Sequence, residues 1–311
     1  MTGSPDVVCL GILVADVIAR PVDALPPAGR LALLEEITLH GGGCALNTAS
    51  ALVQLGLRAA VAGKVGNDVF GDFLLRLLDE RRVDSTSVLR DESVPTSSTV
   101  ALVDGRGERT FLHLPGANGT LRADELDPEL VLAGRCLHVG GALVLPLLDG
   151  EPLAGILASA RERGIATSLD TVWDASGGWT RVLPALPHLD LFTASLGEAQ
   201  AITGREEPAA AAAWLRSRGA ERVAIKLGVD GCYVTDGHSD EHVAAPRVEA
   251  VDGTGAGDAF AAGLLFGLLA GWPPVRSARL ANAAGALATT AVGAGEGVRG
   301  LEETMALAGI N

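Results

Sequence analysis

Short apolar runs alternate with stretches of helical periodicity from about residue 135 onward, and this alternation restricts the folds open to the chain. The strand-like runs span residues 136–139, 165–169, 191–193 and 222–226. The helix-like stretches span residues 153–163, 196–202, 208–218, 258–270 and 275–290. Because alternation of this kind is typical of α/β domains, it predicts a doubly wound, mostly parallel sheet flanked by helices.

The first part of the chain has a different pattern. Residues 99–103 and 110–114 are short apolar runs on either side of a turn-forming cluster at 104–108, which predicts a β-hairpin. The extended segments at about 12–40 and 95–115 do not fit the α/β alternation. We expect them to form a small separate sheet over the core.

Other elements of the first part are predicted from their periodicity. Residues 7–14 form a continuous apolar run, which predicts a buried strand, and residues 31–39 form a less regular strand pattern. Apolar residues at helical spacing predict helices over 48–57 and 70–81.

Composition indicates one large domain and excludes several kinds of partner. The chain has 311 residues, of which 48% are hydrophobic and 20% charged, enough for a sizeable core. The formal net charge of -14 repels phosphate backbones and anionic lipid, so we expect neither nucleic acid nor membrane partners. The four cysteines have no metal-type spacing, which is typical of reduced thiols, and we expect a cytoplasmic location.

No segment of the sequence has the pattern of a targeting or membrane-spanning element. The apolar run at residues 7–19 is interrupted by Gly11 and Asp16, so we expect no signal peptide. The apolar helical stretch at 259–272 is too short to span a bilayer.

The most distinctive motif is Asp-Gly-Thr-Gly-Ala-Gly-Asp at residues 252–258, which leads directly into an apolar helix pattern. Its glycines allow a sharp turn and close approach to a ligand, and the start of the helix offers unpaired N–H groups to an anion. Asp258 at the edge of this anion site has two interpretations, a helix cap or a catalytic base.

Two common nucleotide motifs do not account for this turn. A dinucleotide fingerprint requires a third glycine where the chain has Asp258. A P-loop requires Gly-Lys followed by Ser or Thr, but Gly63-Lys64 is followed by Val65. A dehydrogenase is therefore discounted.

Two further motifs precede predicted helices in the first part of the chain. Three glycines at 41–43 lead towards Asn47, which indicates either close contact with a small polar ligand or a tight turn capped by Asn47. Residues 63–71 contain Asp68, which we interpret as the cap of the helix predicted over 70–81.

A fourth motif, Ser195-Leu196-Gly197-Glu198, lies where a predicted strand meets a predicted helix. The helix dipole favours an acidic residue at this position in any case. Glu198 could also hold a hydrated magnesium ion.

These motifs together resemble the signatures of the ribokinase-like carbohydrate kinases, the PfkB family. Gly42-Gly43 through Asn47 and Gly63 through Gly71 are similar to the N-terminal signature, and Asp252 through Asp258 is similar to the C-terminal one. Their order and spacing cover nearly the whole chain. The resemblance implies one ribokinase-like domain over residues 1–311, with the segments at 12–40 and 95–115 forming a β-sheet lid that closes over the substrate.

The resemblance also implies a reaction, the ATP-dependent phosphorylation of a hydroxymethyl group of a small sugar. Asp258 would be the general base that takes the proton of the acceptor hydroxyl. The backbone N–H groups of Gly255, Ala256 and Gly257 would form the anion hole for the transferred phosphoryl group. This division of work suits phosphoryl transfer, which depends on positioning and charge stabilisation more than on covalent chemistry.

Binding roles follow from the same resemblance, position by position. The residues implied to bind the sugar are Asp16, Gly42, Gly43 and Asn47. Those implied near ATP and Mg²⁺ are Lys226, Gly228, Asn282, Glu198 and Ser195, with Glu198 holding the metal through water. Asp252 and Thr254 lie where some members bind a monovalent cation such as K⁺ through backbone oxygens.

The chain departs from the family pattern at two places. Ser195 stands where an asparagine is usual, which puts the magnesium and phosphate geometry in question. Ribokinases proper carry a sugar-contacting glutamate near residues 145–150, and no clear counterpart is present, which weakens ribose as the substrate. Residues 170–174 resemble a loop beside the active site of fructokinase-like members.

Two alternatives remain on the same fold. A nucleoside kinase would need aromatic side chains to stack a base, but the chain has six Phe, four Trp and one Tyr. A non-catalytic sugar sensor would have no use for a base at Asp258 or for Glu198.

Because lids of this family often pair, we also expect a homodimer formed through the lid.

Overall fold

The computed structural model describes residues 3–310 and contains two sheets. Its strands are β1 Val7–Gly11, β2 Val14–Arg20, β3 Glu36–Gly42, β4 Ala59–Gly66, β5 Asp84–Asp91, β6 Ser98–Val103, β7 Arg109–Leu114, β8 Cys136–Ala142, β9 Ala166–Thr171, β10 Leu191–Ser195, β11 Arg222–Lys226, β12 Cys232–Thr235 and β13 Asp240–Val243. Its helices are α1 Cys44–Gln54, α2 Val69–Glu80, α3 Pro128–Val131, α4 Glu151–Glu162, α5 Leu196–Thr203, α6 Pro208–Ser217, α7 Ala256–Leu269, α8 Pro274–Ala288 and α9 Leu301–Leu307.

The large sheet has nine strands in the order β13-β12-β11-β10-β9-β8-β1-β4-β5. Strands β11 to β5 in this order pair in parallel, and β12 and β13 add an antiparallel edge. This arrangement confirms the predicted mostly parallel sheet. The hairpin at one edge and the strands β4 and β5 at the other were not predicted from the sequence.

Helices cover the large sheet on both faces. One core lies between the sheet and helices α4, α5 and α6, with Leu153, Ile202 and Leu215 among its members. The opposite face packs against α1, α2, α7 and α8. Strand β1 is buried along its whole length, as expected of a strand whose two faces are both covered by helices.

The second sheet, called the small sheet below, consists of strands β3, β2, β6 and β7 in that order. Strands β6 and β7 form the predicted antiparallel hairpin. Strand β3 occupies residues 36–42 instead of 31–39, since it continues to the glycines that precede α1. The run predicted as one strand over 7–14 ends at Gly11, and β2 then enters the small sheet. That the small sheet acts as a lid stays a prediction.

Of the three residues considered as helix caps, the structure confirms one. Asp68 caps α2, because its carboxylate accepts a 2.9 Å hydrogen bond from the Gly71 N–H, as predicted. The capping interpretations of Asn47 and Asp258 are wrong. Glycines occupy the cap positions of both helices, Gly43 before α1 and Gly255 before α7. Asn47 and Asp258 are therefore free for other contacts within the first turn of each helix.

None of the helices within residues 3–310 combines the length and the apolar character that a membrane span requires.

Candidate active site

Asn47 on α1 and Asp258 on α7 meet in the interior, next to the glycine-rich turn. The Asn47 Nδ2 donates a 2.8 Å hydrogen bond to the Asp258 Oδ2, and both side chains are buried. Burial raises the pKa of Asp258 to about 6, although the hydrogen bond from Asn47 opposes this effect. A carboxylate with a pKa close to neutral is suited to proton transfer.

The other end of the Asn47 amide is a buried acceptor. Within residues 3–310, the Asn47 Oδ1 has no hydrogen-bond partner. A buried polar atom without a partner is costly, so an unpaired oxygen beside a ligand site indicates a group that a ligand satisfies. A hydroxyl donor is the simplest such group.

The turn before α7 is shaped by Gly255, which has a φ of 76°. This left-handed conformation favours glycine, and an added Cβ would lie 2.9 Å from the Ala294 Cα. The Ala256 N–H makes a long hydrogen bond of 3.3 Å to the Gly253 carbonyl. The first turn of α7 lies beside Lys226 at the carboxyl end of β11, and carboxyl ends of parallel strands are a location where α/β proteins bind ligands.

A buried ion pair lies under this first turn. The Lys226 Nζ donates to both oxygens of Asp170, at 2.6 and 2.9 Å, and the Thr193 hydroxyl donates to the Asp170 Oδ1 at 2.6 Å. A Cβ placed on Gly257 would lie 3.4 Å from the Lys226 Nζ. The ammonium therefore lies close beside Gly257, the second residue of α7.

A cavity of about 500 Å³ opens beside this ammonium. Lys226, Gly228, Gly257 and Asn282 line it. The structure therefore brings together three of the residues that the resemblance assigns near ATP, Lys226, Gly228 and Asn282, whereas Ser195 and Glu198 are not among the lining residues. The Asn282 Nδ2 donates a 2.8 Å hydrogen bond to the Val243 carbonyl. Asn282 consequently joins α8 to the end of β13 while it lines the cavity.

Ser195 and Glu198 form a reciprocal capping box at the start of α5. The Ser195 hydroxyl accepts from the Glu198 N–H at 3.3 Å, and the Glu198 Oε2 accepts from the Ser195 N–H at 2.8 Å. The Thr171 hydroxyl also donates to the Glu198 Oε2, at 2.9 Å. Among residues 3–310, no three or more His, Cys, Asp or Glu side chains cluster as a metal-ion site would require.

One face of the small sheet carries a transverse row of polar side chains. The strand register places His40 opposite Asp16, Asp16 opposite Thr99, and Thr99 opposite His113. Directly opposed residues project from the same face, so the four side chains form one line across four strands. Burial raises the pKa of Asp16, and the Thr99 hydroxyl partly opposes the effect through a hydrogen bond.

Gly42 lies next to Asp16, one of the four residues of this row. A Cβ on Gly42 would overlap the Asp16 carboxylate, so a glycine is required for Asp16 to take this position. Gly43 has a φ of 93°, and a Cβ there would press on the backbone of Ile12 and Leu13. Both glycines therefore serve the close approach of β2 to the start of α1.

Arg109 connects the small sheet to the glycine-rich turn. Its guanidinium donates to the Asp252 Oδ1 and to the Thr254 Oγ1, each at 2.7 Å. Burial alone would raise the pKa of Asp252, but hydrogen bonds from Thr254, Gly293 and Arg109 lower it to about 2. Alternate residues on a strand share a face, so His113 projects from β7 on the same side as Arg109, towards the core.

Comparison with known proteins decides the family. The family model described as pfkB family carbohydrate kinase matches residues 4–299. The chain belongs to the pfkB family of carbohydrate kinases.

Relatives within this family include a 2-dehydro-3-deoxygluconokinase from Bacillus subtilis (strain 168), 31% identical over 281 residues, which cover 85% of this chain and 86% of that protein. A fructokinase from Klebsiella pneumoniae is 32% identical over 268 residues, covering 81% and 87%. An Arabidopsis thaliana ribokinase, solved with ribose and ATP, superposes with a TM-score of 0.87 at 22% identity, covering 99% of this chain and 100% of that chain. This structural likeness confirms the ribokinase-like fold.

Sequence reasoning missed several residues of this pfkB-family site. Asp170 lies in the segment that resembles a loop beside the active site, but no role was predicted for it. Arg109, Thr99, His40 and His113 were not predicted as site residues. The alternation along the hairpin could have placed residues 109 and 113 on one face. Nothing in the sequence could have shown that this face turns towards the glycine-rich turn.

Proposed function

We propose that this carbohydrate kinase transfers the γ-phosphoryl group of ATP to a hydroxymethyl oxygen of a small sugar. The observation that carries the proposal is the buried Asn47–Asp258 pair at the first turn of α7. It combines an acceptor for a proton, a partner for a substrate hydroxyl and a helix start for phosphoryl charge within one small volume.

Asp258 takes the proton of the hydroxymethyl group as that oxygen attacks the γ-phosphorus. The bond between the γ-phosphorus and the ADP oxygen breaks, and ADP leaves with the electron pair. The N–H groups of Gly255, Ala256 and Gly257 stabilise the charge on the transferred group, since they lie at the positive end of α7. The pKa of about 6 keeps Asp258 ionised at neutral pH and still basic enough to accept the proton.

The residues around the cavity fit a nucleotide. The cavity lies beside the start of α7, and Lys226, Gly228 and Asn282 line it, which supports ATP as the phosphoryl donor. Mg²⁺ bound to the phosphates would neutralise charge there. Glu198 would contact the metal through water, in keeping with the preference of Mg²⁺ for retained water.

The polar row on the small sheet supports a polyhydroxy acceptor. His40, Asp16, Thr99 and His113 offer hydrogen bonds to hydroxyl groups, whereas a nucleobase would need an apolar or aromatic surface. Relatives of this chain are named as kinases of 2-dehydro-3-deoxygluconate, fructose and ribose. A sugar of this size would lie between the small sheet and Asp258, with Gly42, Gly43 and Asn47 at its edge.

Two further predictions belong to this proposal. The outward face of the small sheet exposes Ile37, Leu39, Val100 and Leu112, which supports a homodimer formed through that sheet. A monovalent cation held by backbone oxygens of Asp252 and Thr254 stays a prediction, and Arg109 already engages the side chains of both residues.

A phosphorylation screen tests the proposed function. The purified protein is incubated with ATP and Mg²⁺ and with a panel of ketoses, aldoses, 2-dehydro-3-deoxygluconate and nucleosides. Mass spectrometry and NMR then identify the product and the phosphorylated oxygen. We expect a sugar phosphate carrying the group on a hydroxymethyl oxygen. Phosphorylation of nucleosides alone, or sugar binding without turnover on any sugar, would overturn the proposal.

A further inference from the structure

Lysine is rare in this chain, and its two positions are both internal. Of the 24 basic residues, only Lys64 and Lys226 are lysines, and the rest are arginines. Lys64 is buried between the carboxylates of Asp91 and Glu125, at 2.9 and 2.7 Å. Lys226 is held by Asp170. The chain thus contains two enclosed lysine–aspartate pairs, one on β4 and one beside the first turn of α7.

The backbone sets the position of the second pair. Lys226 ends β11 and Asp170 lies near the end of β9, with β10 between them. The Lys226 side chain therefore crosses β10 to reach Asp170, whose Oδ1 also accepts from Thr193 on the crossed strand. Two donors fix the carboxylate, and the carboxylate in turn fixes the ammonium against Gly257 on α7.

The charges around Lys226 are mostly negative. Burial alone would lower the pKa of Lys226, but Asp170, Glu198 and Asp258 together raise it, so the ammonium stays charged. Asp170 has a side-chain exposure of 3%, and Lys226 one of 17%. A cation that is fixed on its inner side and open to the cavity is placed to meet an incoming anion.

We propose that Asp170 is a positioning residue, which holds the Lys226 ammonium at the first turn of α7 so that it contacts the γ-phosphoryl group of ATP. The inference rests on the proposed function, because it assumes that ATP enters the cavity beside α7. Without Asp170, the flexible lysine side chain would leave this position, since the aspartate supplies its hydrogen-bonded partner there. We assign Asp170 no contact with either substrate, because its side chain is 3% exposed and its carboxylate accepts from Lys226 and Thr193.

A double-mutant cycle on nucleotide binding tests the inference without any sugar. Calorimetry gives the Kd of ATP and of ADP, each with Mg²⁺, for the parent protein, Lys226→Met, Asp170→Asn and the double variant. Because ATP and ADP differ by the γ-phosphoryl group, we expect Lys226→Met to reduce the preference for ATP by at least about tenfold. Asp170→Asn should reduce it similarly, and the double variant should be no worse than Lys226→Met.

Two controls separate positioning from stability. Asp91→Asn removes a partner of the other buried lysine, so it should lower the melting temperature and leave the ATP preference unchanged. Thr193→Val keeps the ion pair but frees one side of Asp170, and it should reduce the preference to a smaller extent than Asp170→Asn. It also serves as the test if Asp170→Asn fails to fold.

Several outcomes would overturn the inference. They are additive losses in the double variant, an unchanged preference in Asp170→Asn or Thr193→Val, or a parent protein that binds ADP as tightly as ATP. The proposed function would fail in a different way. In that case no sugar would be turned over, while the protein would still bind ATP in preference to ADP.

Discussion

The side-chain amide of Asn47 donates a 2.8 Å hydrogen bond to the carboxylate of Asp258, from a position 211 residues earlier in the chain. The contact joins the first turns of α1 and α7, which follow the two glycine motifs. One amide thereby orients the proposed base through its nitrogen and leaves its oxygen without a partner among residues 3–310. The two motifs consequently act as a single site.

Replacing Asn47 with Leu should move the pH profile of the reaction. The hydrogen bond from Asn47 lowers the pKa of Asp258, so its loss should raise that pKa above about 6. The acid limb of kcat/KM for the sugar should shift to higher pH, with activity lost more at pH 6 than at pH 8. Ser50→Ala on the same helix, where Ser50 bonds to the Leu46 carbonyl, is the control. An acid limb that does not move would contradict the assigned contact.

Replacing Gly42 with Ala should impair the sugar site selectively. The new Cβ would overlap the Asp16 carboxylate and force it out of the polar row. We expect the KM for the sugar to rise about 10- to 100-fold, as small displacements of positioning groups commonly produce, and the KM for ATP to stay near its parent value. Gly155→Ala, a helix position with open space around it, should leave both constants unchanged. Equal effects on the two KM values would argue against a sugar role for Asp16.

Removing the guanidinium of Arg109 should disconnect the small sheet from the glycine-rich turn. Arg109→Ala loses the contacts with Asp252 and Thr254, while Asp252 keeps the N–H groups of Thr254 and Gly293. We expect a higher KM for the sugar and a several-fold increase in ATP hydrolysis without sugar, because water then reaches the site more easily.

Arg106→Ala provides the matched control for this loss, since Arg106 lies on the same hairpin and pairs with Asp104 in solvent. Phosphate release measured without sugar compares the two variants. Parent-like hydrolysis and KM in Arg109→Ala would show that the bridge does not control closure.

The ionised Asp258 carboxylate should lower the free energy of unfolding at neutral pH. Its pKa rises from 3.8 to about 6 on folding, so the folded state binds more protons than the unfolded state between these values. The free energy of unfolding therefore falls as pH rises through this window. Asp258→Asn should melt at a higher temperature than the parent at pH 8, and the difference should shrink at pH 4. Asp79→Asn, an exposed position on α2, should show no such trend. A lower melting temperature of Asp258→Asn at pH 8 would contradict the assigned pKa.

Much of the fold could be predicted from the sequence because the periodicity of each segment matches the secondary structure that the segment adopts. The alternating strands and helices after residue 135 have the periodicities of their elements, and all four predicted strands there are present. Strand β4 was missed because its sequence is rich in Ala and Gly, which have little strand preference. Its pairing with β1 and β5 determines its conformation.

The residues of the candidate site also fall into those that local sequence patterns reveal and those that depend on tertiary structure. Gly42, Asn47, Gly255 and Asp258 could be found because they lie in glycine-rich motifs beside predicted helix starts, although the capping interpretations of Asn47 and Asp258 are wrong. The pair of Lys226 with Asp170 depends on the order of strands β9, β10 and β11, which no local pattern records. The contact of Arg109 with Asp252 depends on how the small sheet is placed over the core, and this too is set by tertiary structure.

The turnover of Asp258→Asn tests the central claim most directly. The variant keeps the size of the side chain and an oxygen that can accept from Asn47, so the fold and ATP binding should persist. It lacks the base, so we expect kcat with the best sugar of the screen to fall by at least about 10²-fold at pH 8. ATP affinity by calorimetry and a circular dichroism spectrum establish that the variant is intact. A folded Asp258→Asn protein that binds ATP and turns over at a rate near that of the parent would contradict the account.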